Sequence, residues 1–200
     1  MHMPIIILAA GQSSRMRGRD KLLEDVDGQP LLRHQALMAR AVTSGDVIIA
    51  LPPRPHPRYG VLANINVTPL PVRDADEGMN ASLRAAISAL PDCPCVMVLL
   101  ADLPDLSAED LTKVADGVDL HSDTLIWRGA TDTGKPGHPI IFKADVFAQL
   151  TALKGDSGGR DVVAAAGPNV ALIPLPGNRA RCDLDTPEDW KAWRKMRQAT

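Results

Sequence analysis

Pro4-Ile5-Ile6-Ile7-Leu8-Ala9-Ala10-Gly11, followed by Gln12-Ser13-Ser14-Arg15-Met16, passes from an unbroken apolar run into small and polar residues. An apolar run with no alternation suits a strand buried on both faces, the condition of a parallel sheet. The turn that follows predicts outward-facing backbone N–H groups able to cradle phosphates. Arg15, Arg17, Arg19 and Lys21 come next, and Arg15 and Lys21 would match the charge of a triphosphate. A surface turn with solvated basic residues is the plain alternative. No Gly-Lys-Ser/Thr follows, so this is not a P-loop, and Gly11 has no glycine two positions on, so it is not the dinucleotide fingerprint.

Working outward, Asp46–Leu51, Ile65–Leu70, Cys95–Ala101, Thr124–Trp127, Pro139–Phe142 and Val170–Pro174 read as further strands. Gln29–Val42, Ala81–Leu90, Ala108–Ala115, Ala144–Leu153 and Arg160–Ala166 read as helices, and Pro52–Tyr59, with four prolines, as a loop. Ser107 is placed to cap its helix with Asp110 at the third helical position, and Thr186-Pro187-Glu188-Asp189 opens the last helix. Strands alternating with helices predict an α/β fold, a three-layer, mostly parallel sheet with helices on both faces. One domain over residues 1–200 is expected. Ligands in such sheets bind beyond the carboxyl ends of the strands.

A net charge of −2 and 3% aromatic residues argue against a nucleic-acid binder. The N-terminal apolar run is too short for a signal peptide or a membrane span. Cys93, Cys95 and Cys182 are odd in number and lack metal spacing, so reduced thiols of a cytoplasmic protein are expected.

Other segments could carry chemistry. Asp102 directly follows the most apolar strand and is a natural Mg²⁺ ligand, though a turn aspartate is the plainer reading. Asp183 and Asp185 precede the last helix and would share one face of a short strand; either could complete a metal site with Asp102. Gly137-His138-Pro139 reads as a shaped loop with an incidental or site-bordering histidine. Gly155-Asp156-Ser157-Gly158-Gly159-Arg160 is a turn that could receive an anion. In Glu77-Gly78-Met79-Asn80-Ala81-Ser82-Leu83, Asn80 or Ser82 could serve as an N-cap.

In this order the segments resemble the nucleotidyltransferases that complete the molybdenum cofactor, over almost the whole chain. Leu8–Met16 with Lys21 is similar to that family's nucleotide signature. The resemblance implies a Rossmann-like sheet of the nucleotide-diphospho-sugar transferase type. It implies Leu8, Ala9, Ala10 and Gly11 around the nucleotide, and Arg15 and Lys21 on the β- and γ-phosphates. It further implies Gly78, Asn80 and Ser82 towards the nucleoside, Asp102 and Asp185 on Mg²⁺, and His138, Asp156 and Arg160 beside the pterin. The implied substrates are CTP, or GTP, and molybdopterin, with a client molybdoenzyme or its chaperone as possible partner; nucleic acid and membrane are not expected. Asp20 before Lys21 is reminiscent of the guanylyl branch. Ala10 in place of a second glycine, with the His138 and Arg160 loops, favours the cytidylyl branch. Asp102 lies in Ala-Asp-Leu-Pro rather than the commoner Gly-Asp-Gln-Pro. A sugar- or polyol-phosphate nucleotidyltransferase, a pterin chaperone and a nucleotide sensor are the alternatives.

Overall fold

In the computed structural model, residues 1–198 are described. In chain order the strands and helices are β1 (Ile5–Leu8), β2 (Asp25–Val26), β3 (Gln29–Pro30), α1 (Leu31–Val42), β4 (Val47–Leu51), β5 (Thr68–Pro71), α2 (Met79–Ser88), β6 (Cys95–Leu100), α3 (Ala108–Asp116), β7 (Ile126–Ala130), β8 (Pro136–Lys143), α4 (Phe147–Thr151), α5 (Arg160–Ala166), β9 (Val170–Pro174) and α6 (Pro187–Gln198). Seven strands form one sheet in the order β5-β4-β1-β6-β8-β7-β9. Pairings are parallel from β5 through β6 and between β7 and β9; β8 runs antiparallel to both its neighbours. The expected mostly parallel α/β sheet is what the chain builds.

The run at Ile5–Ile7 explains the layers. Successive side chains of a strand point to opposite faces. Ile5 and Ile7 join Leu32 and Ala36 of α1, Leu111 and Val114 of α3, and Trp190 and Trp193 of α6. Ile6 joins Leu83 and Ile87 of α2, Leu150 of α4 and Val162 of α5 on the other face. Ile5, Ile6 and Ile7 are wholly buried, each worth about 1.5–3 kcal/mol over exposure. Polar residues at these positions would leave one helical layer without a surface to cover.

Two helix starts follow the capping chemistry read from sequence. Ser107 Oγ accepts from the Asp110 N–H, and Asp110 Oδ2 accepts from the Ser107 N–H. Thr186 Oγ1 accepts from the Asp189 N–H at 3.1 Å, and Asp189 Oδ2 accepts from the Thr186 N–H at 2.8 Å. Such caps are worth about 1 kcal/mol each.

Some boundaries differ from expectation. Gln29 and Pro30 belong to a small hairpin with β2, not to α1. The strand expected at Ile65–Leu70 begins only at Thr68, because Ile65 and Val67 sit in a turn closed onto Leu62 and Ile65. The helix expected over Ala144–Leu153 is a 3-10 turn and the short α4. Asp183 and Asp185 lie in irregular backbone, not on a strand. That segment is pinned instead by the Leu184 N–H donating to the Asp102 carbonyl at 3.2 Å.

Candidate active site

Leu8 and Leu100 are register partners in adjacent parallel strands, so Ala9–Ala10 and Ala101–Asp102 leave the sheet side by side. The Leu184 tie to the Asp102 backbone draws Asp185 to the same edge. The turn after β1 closes over both. Its second half is a 3-10 turn at Lys21–Leu23, capped by Asp20 accepting from the Leu22 N–H. These constraints place the Lys21 ammonium between two carboxylates, 2.5 Å from Asp102 Oδ2 and 2.7 Å from Asp185 Oδ1. Arg15 donates to the other oxygen of Asp185 at 2.8 Å. A cavity of about 400 Å³ opens over the cluster, lined by Leu8 to Arg15, Lys21, Asp102 and Asp185 on one side and by Ala75, Asp76, Gly78, Met79, Ser82 and Asp156 on the other.

The cluster pairs two cations, Arg15 and Lys21, with two acids, Asp102 and Asp185. Burial works against the Lys21 charge, but Asp102, then Asp185, holds the ammonium above its ordinary range. Asp102 Oδ1 is buried and has no hydrogen-bond partner among the described residues, an orphaned acceptor that a cation would satisfy. Burial, and then the proximity of Asp102 and Asp185, raises the carboxyl of Asp183. Asp185, not Asp183, lines the cavity.

Asp102 and Asp185 fit a divalent cation of the kind that takes one or two carboxylates and completes its shell with substrate phosphates and water. Among the described residues no group of three or more His, Cys, Asp and Glu side chains could hold a metal alone. A cation here would therefore share its coordination with the substrate.

The opposite wall is built by the N-terminus of α2 and the loop 154–159. Asp156 Oδ1 accepts from the Met79 N–H at 2.5 Å. Gly78 makes that approach possible: its φ is +107°, and a Cβ there would stand 2.2 Å from Asp156 Oδ1. Neither Asn80 nor Ser82 caps α2. Asn80 is wholly buried. Its amide donates to the Lys154 carbonyl and Ser157 Oγ and accepts from the Gly159 N–H. It holds the loop rather than facing the cavity, whereas Ser82 does line it.

Two residues expected at the acceptor side do not line the cavity. His138 lies within β8, with a buried Nδ1 that has no partner among the described residues. Burial, then the Arg128 charge, pushes its pKa down to about 4, so the imidazole is neutral near pH 7. Arg160 is the exposed first residue of α5. Asp156, from the same glycine-rich turn, does reach the cavity.

A family model for the MobA-like NTP transferase domain matches residues 5–170, which include the turn after β1, Lys21 and Asp102. The chain belongs to this family of NTP transferases. At 32% identity, covering 96% of this chain and 98% of the relative, it is similar to a probable molybdenum cofactor guanylyltransferase of Synechococcus elongatus. The fold is also that of Rv0371c from Mycobacterium tuberculosis, at 24% identity and a TM-score of 0.83, with 98% of each chain covered. The Rv0371c complex with manganese aligns with a TM-score of 0.78 and 24% identity, covering 96% of this chain and 97% of that one.

Sequence reasoning missed Arg58, Gln12 and Asp76. Gln12 Nε2 donates to Asp76 Oδ1 at 2.6 Å across the cavity mouth. Arg58 sits in the proline-rich stretch read as a plain loop, yet only 1% of its side chain is exposed. The usable signal was Asp20, an acid inside a run of cations, which a buried arginine elsewhere could claim.

Proposed function

We propose that this NTP transferase moves CMP from CTP to the terminal phosphate of molybdenum-loaded molybdopterin and releases pyrophosphate. The carrying observation is the Arg15–Asp185–Lys21–Asp102 cluster at the carboxyl ends of β1 and β6. The acceptor phosphate is ionised at neutral pH, so the reaction needs no general base. An acceptor oxygen bonds to the α-phosphorus as the bond to the bridging oxygen breaks. Charge grows on the departing pyrophosphate, and positioning with electrostatics lowers the barrier.

Lys21 and Arg15 bind the β- and γ-phosphates, with Arg15 offering two donors and Lys21 a compact charge. Ala9 lines the site with its N–H held by the Ala50 carbonyl at 2.9 Å, the backbone N–H groups of Ala10 and Gly11 border the phosphates, and Gly78 and Ser82 face the nucleoside. Asp102 and Asp185 would hold Mg²⁺, which when bound would polarise the α-phosphate and screen the two anions from each other. Asp156 borders the acceptor, and His138 and Arg160 are assigned to the same side although neither lines the cavity. The whole chain acts as one domain in the cytoplasm; no helix among the described residues is long and apolar enough to cross a membrane. A client molybdoenzyme, or the chaperone serving it, receives the product.

The base assignment rests on Ala10 and on the sequence segments around His138 and Arg160. Asp20, whose oxygens are engaged by Arg58, Ser13 and the Leu22 N–H, is the residue that favours the guanylyl branch instead. GTP is the second reading, favoured by the name of the Synechococcus relative. The test is pyrophosphate release with Mg²⁺ and loaded molybdopterin, in parallel with CTP, GTP and ATP. Pterin-dependent release with CTP supports the proposal, and preference for GTP moves the chain to the guanylyl reading. Release only with a sugar or polyol phosphate, or NTP binding without release, rejects both.

A further inference from the structure

We infer that Arg58 is a positioning residue that sets nucleotide affinity from outside the cavity. It enters from the segment after β4, which otherwise has no part in the site. Its guanidinium donates through Nε and Nη2 to the two oxygens of Asp20, both at 2.8 Å. Nη2 also reaches Ser13 Oγ at 3.1 Å, and Nη1 reaches the Ala9 carbonyl at 2.6 Å. Ala9 is where the chain leaves β1, Ser13 precedes Arg15, and Asp20 precedes Lys21. One buried side chain thus ties both ends and the middle of the turn that carries the phosphate-binding cations.

The tie continues into that turn. Asp20 Oδ1 also accepts from Ser13 Oγ and the Leu22 N–H, and Ser13 Oγ accepts from the Lys21 N–H at 3.3 Å. Ser13 is held at φ +53°, where an L side chain needs outside support. The fork geometry matters, because a planar guanidinium meets a carboxylate with two parallel bonds and a lysine cannot. Burial opposes ionisation of Asp20, but Arg58, joined by the Leu22 N–H and Ser13, outweighs it and holds the carboxyl below its ordinary range. Arg58 itself does not line the cavity. It acts through the backbone positions of Arg15 and Lys21, whose misplacement by about 1 Å can cost roughly a hundredfold.

This inference rests on the NTP-transferase reading only in needing NTP to bind the cavity over Lys21. The experiment measures CTP and GTP binding by calorimetry, and steady-state KM for NTP and for acceptor, in wild type, Arg58→Lys, Asp20→Asn and Arg58→Lys/Asp20→Asn. Arg58→Lys keeps the charge and nearly the volume, and melting curves verify its fold. Expected are a nucleotide Kd and KM raised roughly tenfold or more, an unchanged acceptor KM, and a double variant no weaker than the worse single one. If Arg58→Lys does not fold, Asp20→Asn alone must show the same selective rise. Normal NTP affinity in a folded Arg58→Lys protein, or losses that multiply in the double variant, overturns the positioning role. Failure of the wild type to bind any NTP would instead reject the function proposed above.

Discussion

Replacing Lys21 by alanine removes the one cation that lies between Asp102 and Asp185. Its two bonds, 2.5 and 2.7 Å, put the facing carboxylate oxygens no more than about 5 Å apart. Two unit charges at about 5 Å repel by about 3 kcal/mol at an effective dielectric constant of about 20. Arg15 on the far oxygen of Asp185 offsets part of this, leaving a loss of about 2 kcal/mol. For a chain of this size that is a drop in Tm of about 4–8 °C. Because the folded-state pKa of Lys21 is raised above its ordinary 10.5, its stabilisation is complete below that pH and is lost as pH rises through the folded value. The stability gap between wild type and Lys21→Ala is therefore full at neutral and moderately alkaline pH and narrows only as pH climbs through the raised folded value of Lys21. Added Mn²⁺ raises the Tm of the variant more than that of the wild type. Differential scanning calorimetry across this pH range, with NTP affinity measured alongside, checks the reasoning. Equal melting at neutral pH together with unchanged nucleotide binding would refute it.

Three further outcomes follow from the same geometry. Asp102→Ala lowers turnover roughly a hundredfold or more while the protein stays folded, read by steady-state kinetics beside circular dichroism; near-normal turnover removes Asp102 from the chemistry. Asn80→Ala frees three hydrogen-bonding groups of the loop 154–159 and costs about 1–3 kcal/mol, with faster amide exchange in that loop than elsewhere; uniform exchange would contradict the clamp. His138→Leu flattens the stability curve between pH 6.5 and 4, because a histidine buried neutral with a pKa of about 4 takes up its proton only on unfolding in that window. Parallel wild-type and variant curves there, by chemical denaturation, would show that His138 is not held neutral.

The layers and the nucleotide turn were legible because single strands carried them. Ile5–Leu8 and Cys95–Leu100 are apolar throughout, and only a strand covered on both faces needs that. That Asp102 and Lys21 meet at one cavity was foreshadowed because each sits just beyond such a strand or its turn. Asn80 was not, since an amide that clamps a loop 74 to 79 residues away looks in sequence like any residue near a helix start. His138 was misplaced for a similar reason: its glycine and proline neighbours suggested a loop, yet they lie within the eight-residue β8. Gly137 fits there because a Cβ would meet the Ala180 carbonyl at 2.1 Å, a close approach only tertiary structure reveals. Arg58 depends on pairing with an acid 38 positions earlier, and no local pattern encodes that distance.

The central claim is that the Lys21–Asp102–Asp185 cluster serves nucleotidyl transfer to a pterin phosphate. It is tested most directly with CTP labelled at its α-phosphate, loaded molybdopterin and Mg²⁺, followed by separation of the products. The account predicts label in a pterin dinucleotide, with unlabelled pyrophosphate released in equal amount. Label found only in free CMP, or left in CTP by a folded protein that binds it, would contradict the account.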